Sequence, residues 1–72
     1  MKFLLYGATG YTGQLIAEYA ASFGLQPILA GRSADKIKAM AEQLHLEYRV
    51  FDLSDTQALE AALRETLVVL HA

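Results

Sequence analysis

Strand-like and helix-like stretches alternate along the chain, which predicts an α/β fold. The expected architecture is a three-layer half domain with a parallel sheet of about four strands in the order 3-2-1-4, joined by three crossover helices. Three observations carry this expectation. The apolar runs at residues 3–6 and 67–70 are continuous, as in strands covered on both faces. A glycine-punctuated turn, Gly7 to Gly13, separates the first run from a helical pattern. Arg49 interrupts the third apolar run between Tyr48 and Val50, which suits an edge.

Each element has its own signals. Strand one is residues 3–6, and helix one runs from about 11 to 23, with Leu15, Ile16, Tyr19, Ala20 and Phe23 on one face and Gly24 as its stop. Strand two covers about 27–30. Helix two begins near Ser33, a suitable N-cap, and carries Ile37, Met40, Ala41 and Leu44 on its apolar stripe. His45 follows as a residue favoured by the helix C-terminal dipole. Strand three covers 48–51. Ser54-Asp-Thr-Gln57 reads as a capping box with Gln57 at N3, opening a helix with Leu59, Ala62 and Leu63 inward. Strand four is 67–70. Right-handed crossovers put helices one and two on one face and helix three on the other. The switch point then falls between strands one and four, beside Gly7 to Gly13, where a ligand is expected.

Bulk properties narrow the field. Seventy-two residues form at most one small domain, and such a chain buries only roughly 60% of the surface exposed when unfolded. Yet 54% of the residues are hydrophobic and the mean hydropathy is +0.25, as expected of a piece of a larger core. A formal net charge of −2 argues against nucleic acid or an anionic membrane as the main partner. There is no cysteine, hence no disulfide, thiolate metal site or cysteine nucleophile. The apolar runs are far too short to span a bilayer, and Lys2 with residues 3–6 is too short for a secretory signal. The expected location is the cytoplasm.

Gly7-Ala-Thr-Gly-Tyr-Thr-Gly13 is the strongest local signal. A strand, a glycine turn and a helix start bring backbone N–H groups and a positive helix end against a phosphate. Gly7, Gly10 and Gly13 serve the tight turn, the close approach of a pyrophosphate and the packing of helix on strand. Thr9, Tyr11 and Thr12 add N–H groups and hydroxyls, although Tyr11 and Thr12 equally suit a solvated first helical turn. Arg32 is the second signal. Strand two leads into Gly31-Arg32-Ser33 with no carboxylate before Asp35, where an NAD site would place an acid for the ribose 2′-OH. The planar guanidinium of Arg32 and the hydroxyl of Ser33 suit a 2′-phosphate instead, so the expected cofactor is NADP.

Taken together, Gly7–Gly13, Leu29-Ala-Gly-Arg-Ser33, Phe51-Asp-Leu53 and Val68-Val-Leu-His-Ala72 resemble the N-terminal half of a saccharopine dehydrogenase (saccharopine reductase)-like NADP-binding Rossmann domain. The resemblance covers essentially the whole chain. It implies that the carboxylate of Asp52 takes the adenine exocyclic amine while Leu53 lines the pocket, and that His71 lies toward the nicotinamide-side ribose. It also implies a parent oxidoreductase that transfers hydride between NADP(H) and a small organic substrate, and whose remaining sheet and substrate domain form a missing C-terminal half. A homo-oligomer through the exposed edge of strand four is expected of the isolated piece.

No catalytic set is visible. No tyrosine has a lysine four residues on, and no His/Asp/Glu cluster has metal-ligand spacing. The rival reading is a non-enzymatic NADP-sensing regulator of the atypical short-chain-dehydrogenase type. On either reading the chain alone is expected to lack catalysis.

Overall fold

The computed structural model describes residues 3–66 and 68–71. The elements follow in the order β1 (Phe3–Tyr6), α1 (Tyr11–Ser22), β2 (Ile28–Gly31), α2 (Ala34–Leu44), β3 (Tyr48–Val50), α3 (Thr56–Glu65) and β4 (Val68–His71). All strand pairs are parallel, and the order across the sheet is β3-β2-β1-β4, as the sequence predicts. Leu67 and Ala72, and the side chains of residues 68–71, lie outside the described residues. The strand predicted at 67–70 is therefore placed at Val68–His71, and His71 only by its register opposite Tyr6.

β1 and β2 are buried on both faces because they are central, and their alternating side chains feed two separate cores. Leu5 and Leu29 point to one side and meet Ala8, Ala17, Ile37, Met40 and Ala41 from the α1 and α2 side. Leu4, Tyr6, Ile28 and Ala30 point to the other and meet Phe51 and Ala62, with Ala58 and Leu59 of α3 packed alongside. That is the predicted distribution of helices. Each fully buried Leu or Ile in these layers contributes about 1.5–3 kcal/mol relative to exposure.

The structure corrects three local expectations. On α1 the side turned to the sheet is Gly13, Ala17 and Ala20, whereas Leu15, Tyr19 and Phe23 are exposed by 51%, 67% and 68%. Small residues win that position because the helix lies directly on the β1 turn. α3 starts one residue later than a Ser54 cap requires. Asp55 is the N-cap, and its carboxylate accepts from the Ala58 N–H at 3.1 Å, while Ser54 belongs to the preceding turn. Leu63, expected inward, is half exposed; Ala62 occupies the buried position. A smaller difference lies in β2, which runs Ile28–Gly31, one residue later at each end than the expected 27–30.

The edge strand β3 is secured by charge. Arg49 donates to the Glu65 carboxylate through Nε at 3.0 Å and through its terminal nitrogen, and lies 3.6 Å from Glu47. The hydrogen bond to Glu65, with both carboxylates adding to it, raises the Arg49 pKa above its ordinary value. A lone arginine in the strand thus ties it to the end of α3. His45 closes α2 in the left-handed region at φ 58°, an unusual place for histidine, with its N–H bonded to Ala41.

Candidate dinucleotide site

The carboxyl ends of β1 and β2 border a cleft of about 580 Å³ lined by Tyr6, Gly7, Thr9, Arg32, Ser33 and Lys36, among others. Its first wall is the β1–α1 turn. Gly7 takes φ 80°, which a side chain rarely permits, and its N–H donates to the Ala30 carbonyl at 2.9 Å, as does that of Ala8 at 3.3 Å. The turn closes with the Gly10 N–H on the Gly7 carbonyl at 3.0 Å. Gly10 is the N-cap of α1 and supplies no side-chain bond to it, so the N–H groups of Tyr11, Thr12 and Gly13 open the helix without a cap. The first α-helical bond is Gln14 N–H to Gly10. Three uncapped donors at a positive helix end make a place for an anion.

Two of the motif glycines differ in what holds them. A Cβ on Gly13 would overlap the Gly7 carbonyl oxygen and sit 2.8 Å from the Ala8 Cα, so Gly13 is required by the contact of helix with turn. A Cβ on Gly10 would meet only the Gly7 oxygen, at 3.4 Å, in an extended backbone at φ −71°. The folded chain by itself leaves Gly10 free to be another residue.

The second wall is the β2–α2 junction. Ser33 is the N-cap of α2, yet its hydroxyl makes no cap bond and is left for another partner. Arg32, just before it, and Lys36, in the first helical turn, both reach the cleft. Asp35 is the acid in the first turn of α2, and two cations beside that positive helix end favour a further anion. Lys36 has no ion-pair partner among the described residues, and Arg32 has only Asp52, at 3.9 Å with both side chains well exposed. A pair that exposed and that long adds little to stability.

Asp52 follows β3 and lies outside the cleft's lining. Its Oδ1 accepts from the Ser54 N–H at 2.9 Å, and its Oδ2 faces Arg32. The backbone bond to Ser54, then the Ser54 side chain, lower its pKa below the ordinary aspartate value. Tyr6 Oη donates to the Phe51 carbonyl at 2.9 Å, and Phe51 N–H donates to Gly31 at 3.0 Å, so the segment after β3 is laced to the ends of β1 and β2.

Of the predicted residues, Gly7, Thr9, Arg32 and Ser33 share the cleft, with Gly10 and Gly13 directly behind its first wall. Asp52 reaches it only through Arg32. Tyr11 does not line it, its side chain being 82% exposed on α1, and Thr12 and Leu53 are exposed outside its lining. The sequence reading missed Lys36 and Tyr6. Lys36 was legible in the spacing Arg32-x-x-x-Lys36 across a helix start. Tyr6 read only as a strand residue.

None of the curated proteins matches this chain in sequence. Solved structures do. A nucleoside-diphosphate-sugar epimerase from Pseudomonas aeruginosa superposes with TM-score 0.85 at 32% identity, over 100% of this chain and 24% of its own. A protein described as a short-chain oxidoreductase from Thermus thermophilus gives TM-score 0.86 at 29% identity, over 100% of this chain and 36% of its own. Saccharopine dehydrogenase (L-Glu forming) from Saccharomyces cerevisiae gives 0.84 at 24% identity, over 97% of this chain and 16% of its own, a likeness of fold. The chain thus spans about a third or less of the length of these three proteins. The family model described as NAD(P)H-binding matches residues 7–72, from the first glycine of the turn onward, and the chain belongs to that family of Rossmann-type nicotinamide dinucleotide domains.

Proposed function

We propose that this chain binds NADP(H) in preference to NAD(H), as the cofactor-binding part of an oxidoreductase. The observation that carries the preference is the convergence of Arg32, Ser33 and Lys36 on one cleft, with no carboxylate at the end of β2. A ribose 2′-phosphate supplies the dianion that this end of the cleft lacks, and the guanidinium fork suits it geometrically. The pyrophosphate lies against Gly10 and the uncapped N–H groups of α1, with Thr9, Tyr11 and Thr12 beside it and Gly7 and Gly13 shaping the turn. Asp52 and Leu53 border the adenine, and His71 ends β4 toward the nicotinamide side. The cofactor supplies the hydride chemistry; this chain's residues bind and orient it.

The finer reading, a saccharopine dehydrogenase-like parent in the cytoplasm acting with a C-terminal half and substrate domain, rests on the pairing of Gly7–Gly13 with Ala30-Gly31-Arg32. An epimerase fold neighbour at higher identity keeps sugar-nucleotide chemistry as an alternative for the parent.

The test is a fluorescence titration of the chain and of Arg32→Ala with NADPH and NADH. Losing one charge-assisted contact costs ~1.5–3 kcal/mol, roughly ten- to a hundredfold in NADPH affinity. NADH affinity stays nearly unchanged. An unaltered NADPH/NADH ratio overturns the assignment.

A further inference from the structure

Tyr6 makes a hydrogen bond that skips a strand. It is the last residue of β1, in register with Ala30 of β2, and its Oη donates to the Phe51 carbonyl at 2.9 Å, just past the end of β3. Ala30, fully buried in the same core cluster, is small enough to let the ring cross. The ring packs against that of Phe51 with 5.4 Å between centroids. Phenylalanine at this position would pack equally well, and a hydroxyl costs free energy to bury unless it is bonded. What the hydroxyl adds is a hold on one peptide. The Phe51 N–H is already held by the Gly31 carbonyl at 3.0 Å, so Tyr6 completes the fixing of both backbone polar groups of Phe51. The next residue is Asp52. Its carbonyl accepts from the Asp55 N–H and its Oδ1 from the Ser54 N–H, both at 2.9 Å, so residues 52–55 form a turn that holds its own shape. The peptide that joins this turn to the sheet is the one whose carbonyl Tyr6 grips.

We propose that Tyr6 is a positioning residue for adenine recognition: its hydroxyl fixes the Phe51–Asp52 peptide and thereby sets the place and direction of the Asp52 carboxylate. This rests on the reading that Asp52 takes the adenine exocyclic amine. Oδ1 is committed to Ser54, whereas Oδ2 is held only loosely, 3.9 Å from Arg32 on a well exposed side chain. Oδ2 is therefore the oxygen open to the amine. A hydrogen bond weakens steeply with a misdirected donor or a few tenths of an ångström of added length. A rotation of the 52–55 turn about Phe51 would carry Oδ2 away from a base whose position the phosphates set elsewhere.

The probes are NADPH and its deamino analogue, in which a carbonyl oxygen replaces the adenine amine and meets the carboxylate as a second acceptor. Fluorescence titration of the parent chain is expected to favour NADPH at least ~10-fold. Asp52→Ala and Tyr6→Phe each reduce that preference to ~3-fold or less, and the double variant loses no more, because both changes remove one contact. A tyrosine that serves stability alone lowers the urea midpoint and leaves the preference at its parent value, which overturns the proposal. A parent chain that binds neither cofactor or both equally, or an Asp52→Ala chain that keeps the preference, overturns the reading of Asp52 and this proposal with it. If Tyr6→Phe fails to fold, the Tyr6 Cζ resonance of the parent chain gives the second reading. It is expected to shift further with NADPH than with the analogue, and equal shifts overturn the proposal.

Discussion

Replacing Gly13 by alanine sets two rules of protein stability against each other. Gly13 lies in the first turn of α1, where alanine gains up to ~1 kcal/mol of helix propensity over glycine. The new Cβ, however, would overlap the Gly7 carbonyl oxygen and crowd the Ala8 Cα at 2.8 Å. These are backbone atoms, and Gly7 and Ala8 are pinned to Ala30 by their N–H groups, so neither side yields cheaply. Overpacking of this kind costs ~3 kcal/mol, the upper part of its usual range. A domain of this length has roughly 4–11 kcal/mol of stability in all. With a urea slope of about 1 kcal/mol per molar, the net loss moves the unfolding midpoint down by ~2–3 M. Gly10→Ala is the control, because its Cβ meets one oxygen at 3.4 Å in an unstrained backbone; losing the better N-cap residue lowers its midpoint by less than ~1 M. Urea titration followed by circular dichroism reads both. A Gly13→Ala midpoint equal to that of the parent chain, or equal shifts for the two variants, would refute the argument.

Three other outcomes follow from the same geometry. On the proposed binding mode, Gly10→Val keeps the circular dichroism of the parent chain but loses dinucleotide binding, because the added methyls would stand where the pyrophosphate meets the backbone; retained NADPH affinity would refute this role. Asp52, held below the ordinary aspartate pKa chiefly by the Ser54 N–H, gives a stability contribution present above its unfolded pKa and lost only as pH falls through the lower folded value. Between about pH 5 and 8 it stays charged, so NADPH affinity falls on acidification through the 2′-phosphate ionisation near ~6 while NADH affinity stays level, as titration across that range will show. Asp55→Ala removes the carboxylate that caps α3 and costs ~1 kcal/mol in urea unfolding, whereas Ser54→Ala costs less than half of that.

The sheet order and the helix faces were legible because they rest on coarse, redundant signals. Continuous apolar runs mark central strands, Arg49 marks an edge, and handedness leaves one placement for each helix. The turn and Arg32 were legible because glycine spacing and a missing carboxylate are local statements. What failed was the inward face of α1. Periodicity identified an apolar face but not which of two apolar faces meets the sheet, and the small residues Gly13, Ala17 and Ala20 hold it because the glycine turn brings the helix close. The α3 cap failed for a similar reason: Ser54 and Asp55 are both good caps, and only the turn closed by Asp52 on Ser54 chooses between them. Lys36 escaped notice because a lysine in a helix reads as solvated, and its spacing from Arg32 gains meaning only once both line one cleft.

The lacing of the cleft has a consequence for how the chain registers a ligand. Tyr6 Oη on Phe51, Gly7 on Ala30 and Phe51 on Gly31 join the ends of three strands by hydrogen bonds of 2.9, 2.9 and 3.0 Å. Loops fixed to the sheet in this way cannot open one at a time without disturbing the strands beneath them. A dinucleotide therefore meets walls already in position, and little of its binding energy is diverted into ordering them. Occupancy then resists unfolding of the whole sheet instead of quieting one flap. At a hundred times its dissociation constant a ligand adds ~2.7 kcal/mol to the folded state, a rise in melting temperature on the order of 10 °C for a domain this small. The slowest-exchanging amides of β1 and β2 gain protection together with the glycine turn, and a thermal melt becomes a direct gauge of cofactor affinity.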